Sequence, residues 1–364
     1  MSWGTGQPLP GAAHAGMQGS VTVVVESDAH LAAVLASDLV GPGSAVFAPG
    51  APADAAADRR VALVMGYEGS LGEPGGDLVL EDDDTFYLQT QDYGTSAYMS
   101  VIGATLVRVM EDGDFEAFLT DADAAFSEGT FPSFVTDPAV QLTDVAALGA
   151  DLADDGPRTR LYVRADGSIS TGPGGLELAR IDDGPHLFGA VTERWEKANT
   201  LSALPCAAAL ADVVDDGIRV RELAGRPWIG RYLKAIEAVR ELRARGESQI
   251  RVSGFGGRLA PVPAESPEPV VGCHDVDDAA VPLLLWTDDA AFVRAEGRTF
   301  RISRTAGEAV EALLVRGSLD AASAVADRVL LAEVVRTFAA GGVRLVPVSG
   351  ETAGSGDELA GATR

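Results

Sequence analysis

Histidines, cysteines and clustered carboxylates are the groups from which metal centres, nucleophiles and proton relays are built, and this chain holds few. Its four histidines, His14, His30, His186 and His274, are far apart. There is no His-x-Asp pair, no His-Glu-x-x-His and no Cys-x-x-Cys. Those spacings bring two ligands to one metal. Cys206 and Cys273 are the only cysteines, too few for a disulfide scaffold. The densest group of ligand types is Cys273-His274-Asp275, but one tripeptide cannot supply a tetrahedral site. It reads as the entry to a last domain. Asp82, Asp83 and Asp84 read as an acidic loop tip. These residues predict no metal, no cofactor and no catalysis.

The glycine runs point the same way. Ser253-Gly-Phe-Gly-Gly-Arg258 resembles a phosphate loop but lacks the full Gly-x-Gly-x-x-Gly spacing. Pro261 and Pro263 follow it where a helix should start, so a tight turn is expected. Thr171-Gly-Pro-Gly-Gly175 lacks the Lys-Ser/Thr of a P-loop and reads as a hairpin end. No Gly-x-Ser-x-Gly nucleophile elbow occurs.

The elements that would position any site come next. At 364 residues there is room for two or three domains and a sizeable core. Net charge is −26, unevenly spread: residues 1–160 hold 5 Arg against 25 Asp and Glu. Residues 218–258 hold 10 Lys and Arg against 4 Glu, and residues 290–345 hold 8 Arg against 6 acids. The acidic half argues against wrapping nucleic acid, whose phosphates dominate such affinity. No apolar run approaches the ~20 residues of a membrane helix. Residues 1–20 are Gly/Pro/Ala-rich without a basic stretch, unlike a signal peptide. They read as a disordered lead-in, and a cytoplasmic protein is expected.

Along the chain, Val21–Glu26, a helix over 29–39 capped by Asp28, and strands at Ala45–Phe47 and Val61–Met65 make a β-α-β start. Phe86–Leu88 and Tyr98–Met110 look extended, and Phe115–Phe126 reads as a helix. Leu161–Arg164 and Ile169–Thr171 flank an Asp-Gly turn, a hairpin signal, followed by a strand at Leu176–Ile181. Helices are expected at Val191–Leu201, Leu204–Val214 and Trp228–Arg245. The last carries Ile229, Leu233, Ile236, Val239 and Leu242 at helical spacing. Its Arg231, Lys234, Arg240 and Arg243 read as a solvated face, and Trp228 and Tyr232 suit either a core or an interface. Ile250–Phe255 is a candidate strand. Residues 21–259 are thus read as an α/β (α+β) region, which also divides plausibly into 21–185 and 186–259. Residues 260–280 form a proline-rich linker, and 349–364 a disordered tail.

Residues 281–348 form a self-contained pattern. Leu283–Thr287, Ala291–Ala295 and Thr299–Ser303 read as three strands, with a turn at Glu296-Gly297. Thr305-Ala-Gly-Glu308 fits a capping box before Val310, Leu313 and Leu314. Ser318 caps a short helix through Val325. Residues 329–340 place Leu331, Val334, Val335 and Phe338 on one face before Gly341-Gly342. Three strands followed by three helices is a winged-helix order.

On those strands, on Arg304-Thr-Ala-Gly-Glu308, on Leu313-Leu314 and on Leu331–Phe338, the domain resembles the PqqD-like recognition element of ribosomally made, post-translationally modified peptide pathways. The C-terminal winged helix of cupin-type oxygenases shares the outline but requires an upstream His-x-Asp. The whole chain resembles the long recognition protein of daptide gene clusters, on Tyr98–Gly103, Arg160–Gly167 and Ser248–Gly257. The resemblance implies a non-catalytic partner that holds a precursor's leader. An oxidative decarboxylase, an aminotransferase and a methyltransferase would act on the precursor's other end. The leader would add as a strand at Thr299–Ser303. Leu331, Val334, Val335 and Phe338 would wall the cleft, although Leu331 and Phe338 serve equally as core. Arg298, Arg301 and Arg336 would meet leader acids. Strand alternation turns Phe300 and Ile302 inward and Arg301 outward. The alternatives are a winged-helix DNA-binding regulator, for which the third helix offers only Arg336 against Glu333, and an enzyme on the N-terminal layer, which lacks a nucleophile or metal set.

Overall fold

The structure, a computed structural model, describes residues 2–6, 19–50, 62–73, 77–80, 87–151, 156–260 and 280–345. His14, Asp82–Asp84, Cys273-His274-Asp275, most of the proline-rich stretch and the tail from 346 lie outside the described residues. The chain is mixed α/β and divides into two compact units, 1–248 and 249–364.

In the first unit the elements are α1 (Ser2–Thr5), β1 (Thr22–Val25), α2 (Leu31–Ala36), β2 (Ala45–Pro49), β3 (Leu63–Gly69), β4 (Asp77–Leu80) and β5 (Tyr87–Asp92). Then follow α3 (Tyr93–Ser96), β6 (Ala104–Arg108), α4 (Asp112–Glu128), β7 (Val140–Leu142), β8 (Arg160–Val163), β9 (Ser168–Ser170) and β10 (Ala179–Arg180). Helices α5 (Phe188–Leu201), α6 (Asp216–Ala224) and α7 (Ile229–Ala244) complete it. The strands form one ten-stranded sheet in the order β10-β9-β8-β1-β2-β3-β4-β5-β6-β7. Strands β8-β1-β2-β3 and β5-β6-β7 are parallel blocks, and β4 and β9 run antiparallel to their neighbours. Val23, Val24 and Val25 are all buried, as a parallel strand covered on both faces requires.

Although β8 and β7 are distant in strand order, Arg160 on β8 pairs with Asp144 after β7 at 2.5 Å. The sheet therefore curls until these strands approach. Its inner face packs Val24, Tyr67, Leu71, Leu88, Leu106 and Tyr162 together, with Trp3 against them. Residues 2–6, inside the stretch expected as a lead-in, are thus ordered through contacts with residues remote in sequence.

Several local expectations change for physical reasons. Residues 204–214 form turns around a short 3-10 segment at Ala207–Ala209 instead of a helix. Cys206 sits at φ 59°, and Arg219 draws off the carbonyls of Leu204 and Pro205 at 3.2 and 3.1 Å. Helix α6, unmarked by apolar periodicity, is capped by Asp215, which accepts from the Ile218 N–H at 3.1 Å. Asp28 lies in a 3-10 turn, Asp28–His30, and α2 has no side-chain cap. Within Tyr98–Met110 only Ala104–Arg108 is a strand, and Leu176–Ile181 shrinks to Ala179–Arg180. Part of the basic face of α7 is turned into the fold: Arg231 is buried and Arg240 donates to the Val140 carbonyl at 2.6 Å, whereas Arg243 is exposed as expected and donates to the Ser133 carbonyl at 3.3 Å. Trp228 stacks on Phe126 with centroids 4.4 Å apart, and Tyr232 is fully buried, so both are core anchors.

The second unit holds β11 (Arg251–Val252), β12 (Leu283–Trp286), β13 (Ala291–Ala295), β14 (Arg298–Ile302), α8 (Arg304–Arg316), α9 (Leu319–Ala322) and α10 (Arg328–Ala340). Its sheet is antiparallel, in the order β11-β12-β13-β14. Because β11 joins β12, the division between units falls before Gln249, earlier than the proline-rich stretch. Glu296 and Gly297 have φ of 50° and 69°, the two positive values a two-residue hairpin turn needs. Helix α8 starts earlier than expected: Ser303, not Thr305, caps it, accepting from the Ala306 N–H at 3.2 Å. Ser318 and Asp327 cap α9 and α10. Gly307 lets α8 lie close on β13, since a Cβ there would stand 2.5 Å from that of Ala291.

Candidate functional site

The open edge of β14 is the feature of the second unit best suited to hold another chain. Among the described residues β14 pairs only with β13, leaving one side of its backbone without a strand partner. The hairpin fixes which groups are exposed there. In a two-residue hairpin the flanking residues, here Ala295 and Arg298, exchange both hydrogen bonds, and the pattern then alternates. Arg298, Phe300 and Ile302 therefore bond inward to Ala295, Val293 and Ala291. Thr299 and Arg301 point their N–H and C=O groups to the open side.

The side chains of β14 separate by face. Phe300 and Ile302 lie partly buried against the core, whereas Arg301 is exposed, with its guanidinium 5.9 Å from the Phe292 ring centroid. Arg298 lies over the Phe300 ring at 5.3 Å and donates to the Gly341 carbonyl at 2.8 Å. That bond ties the start of β14 to the end of α10. Ser303 spends its hydroxyl on the α8 cap.

Helix α10 contributes less to a cleft wall than expected. Leu331, Val334 and Phe338 are 0%, 6% and 6% exposed, within the core. Their spacing matches a core stripe and a cleft stripe equally, and the contacts of α8 and the sheet decide for core. Val335 is half-buried and Arg336 is exposed, so these two keep accessible surface on α10. Thr299, Arg301, Val335 and Arg336 are accessible, Arg298 is committed to Gly341, and Leu331, Val334 and Phe338 support from beneath.

One residue that sequence reasoning missed holds this unit together. Glu311 on α8 is buried and accepts from the Ser253 hydroxyl at 2.6 Å and from the Leu259 and Ala260 N–H groups at 2.9 and 2.5 Å. The glycine-rich turn Ser253–Arg258 is thus the approach to a buried carboxylate. A charged residue on the predicted inner stripe of α8 was the available signal.

The first unit concentrates polar groups inside its curled sheet. Tyr162 donates to Glu26, and Tyr67 donates to the Val25 carbonyl at 2.9 Å. Burial, with the Glu26 carboxylate second, pushes the Tyr67 phenol up to about 12 and raises that of Tyr162 further. Both phenols stay protonated at neutral pH. Arg108 pairs with Asp92 at 2.8 Å and also donates to the carbonyls of Leu71 and Glu73. Among the described residues no three His, Cys, Asp or Glu converge as metal ligands, and no helix is long and apolar enough to cross a membrane.

No family model, no curated protein and no solved structure matches the chain.

Proposed function

We propose that the chain is a non-catalytic recognition protein that binds the leader of a ribosomally made precursor peptide and presents it to modifying enzymes. Its second unit would be the winged-helix, PqqD-like element. The observation that carries this reading is the open edge of β14, whose start is tied to the end of α10 by Arg298 and Gly341. Strand addition supplies main-chain affinity from Thr299 and Arg301, and side-chain surfaces on alternate faces supply specificity. The bound segment would alternate: apolar side chains toward Phe300, Ile302 and Val335, and acidic ones toward Arg301, with Arg336 on the helix side. Three strands followed by three helices in β12–β14 and α8–α10 support the winged-helix assignment. The modifying partners remain those the daptide resemblance implies: an oxidative decarboxylase, an aminotransferase and a methyltransferase.

The test uses the full chain and fluorescein-labelled peptides encoded by short reading frames beside its gene. Binding is read by polarisation, and the site by amide hydrogen exchange with and without peptide. The expected result is binding by one leader together with slowed exchange at Thr299 and Arg301. Binding with unchanged exchange there would move the site elsewhere. Nanomolar, sequence-specific binding to the gene's upstream DNA would favour a regulator instead.

A further inference from the structure

We propose that the first unit contains a second peptide-binding groove, occupied in this structure by the chain's own Ser2–Gly6 and able to take a tryptophan–glycine segment from another chain. The contacts are those by which a protein reads a peptide. Arg160 donates to the main-chain carbonyls of Trp3 and Gly4 at 3.1 and 2.9 Å, and the Asp144 N–H donates to the Gly4 carbonyl at 3.1 Å. Asp144 holds Arg160 at 2.5 Å, so one ion pair positions both donors. Trp3 anchors the segment, its ring 6.0 Å from that of Tyr162 and against the inner apolar cluster. An aromatic anchor, here partly buried, with main-chain hydrogen bonds beside it is the usual economy of peptide recognition.

The groove also selects sequence. A Cβ on Gly4 would stand 2.9 Å from Leu106 and 3.3 Å from Thr143, so any larger residue after the tryptophan requires the Leu106 side chain to shift, and glycine is preferred. The present occupant leaves one group of the groove unanswered: the Thr143 hydroxyl is buried without a hydrogen-bond partner among the described residues, as is the occupant's own Trp3 Nε1. Thr143 is 6% exposed. Both line a small cavity that continues beyond the segment past Arg108, Met110 and Gly174. Buried donors without partners are costly, so an incoming segment with an acceptor there competes well against the resident one. Arg108, Met110 and Asp144 lie at or just after the carboxyl ends of β6 and β7.

The test severs the resident segment after folding. A protease site is built into residues 7–18 of the full chain, the protein is folded and cleaved, and fluorescein-labelled Ser-Trp-Gly-Thr-Gly is added. The cleaved chain should take up the peptide while the uncleaved chain does not. Versions with alanine for the tryptophan or the glycine should bind at least about tenfold more weakly, a loss above 1.4 kcal/mol. Arg160→Lys in the cleaved chain should weaken uptake, because a lysine lacks the guanidinium fork. Unfolding on cleavage, retention of the original segment without exchange, or equal uptake of the alanine peptides would each overturn the proposal and make Ser2–Gly6 a permanent part of the core. Because the probe and the residues differ from those of the β14 edge, this result is separable from that of the leader-binding test.

Discussion

Phe300 on β14 and Phe338 on α10 meet edge to face, with ring centroids 5.5 Å apart and planes inclined at 70°. This is a favourable aromatic arrangement. The contact joins the edge strand to the last helix at the end where Arg298 also reaches Gly341. The start of the edge strand is therefore fixed against the C-terminal end of α10.

Phe338→Ala should accordingly act on stability before it acts on binding. Removing a buried phenylalanine costs about 3–5 kcal/mol through lost transfer energy and the cavity left behind. Urea unfolding followed by circular dichroism should show an early transition for the second unit. A variant of unchanged stability would place Phe338 at the surface.

Arg301→Glu should behave in the opposite way. The side chain is exposed and stands against the Phe292 ring, so unfolding should shift by less than about 0.5 kcal/mol, as for ordinary surface changes. Binding of an acidic leader should weaken, chiefly in association rate and with a smaller salt dependence. Stopped-flow association at two ionic strengths measures this. An unchanged rate at both would remove Arg301 from the site.

Alkaline pH should destabilise the first unit. The folded-state pKa of Tyr67 is about 12 against 10.0 unperturbed. Tyr93, Tyr162 and Tyr232 are raised as well, chiefly by burial. Between these values the folded chain keeps protons that the unfolded chain has lost, so stability falls as pH rises from 10 toward 12. Tyr67 alone accounts for about 3 kcal/mol by the upper limit. Urea midpoints between pH 8 and 11.5 should decline steeply above 10. A flat profile would mean that these phenols ionise freely in the folded protein.

What the sequence made legible was local. The Glu296-Gly297 turn, the Ser318 cap and the inward set of Phe300 and Ile302 depend on neighbours a few residues away, and the structure has them. What it hid was long-range. Helix α5 is capped by Asp38, which accepts from the Leu187 and Phe188 N–H groups at 2.7 and 2.9 Å across about 150 positions. Glu311 serves a turn more than 50 residues earlier. Arg231 and Arg240 of α7 looked solvated because periodicity records where apolar residues fall. It cannot show that carbonyls of the 133–140 segment need donors. At the candidate site the edge strand was visible in its alternation. The split of α10 into core and accessible positions was not, since both share one helical stripe.

The sharpest test of strand addition at β14 uses proline, because it removes a single N–H. The hairpin pattern directs the Thr299 N–H to the open side and the Phe300 N–H to β13. Proline is tolerated on an edge strand where its missing N–H would face outward, and disrupts where a ladder bond is lost. Thr299→Pro should therefore leave the domain folded, with a small shift in melting temperature. It should also remove the first main-chain bond to an incoming strand, and affinity for the leader should fall by about tenfold, the effect of a bond worth roughly 1–1.5 kcal/mol. Phe300→Pro should break the bond to Val293 and lose the ring against Phe338, so the second unit should melt early whether or not peptide is present. Thermal melting and peptide titration of both variants distinguish the cases. If Thr299→Pro binds as the parent does while remaining folded, the leader does not add to β14. If Thr299→Pro unfolds as Phe300→Pro does, the Thr299 N–H faces β13 and the exposed set on this edge is the opposite one.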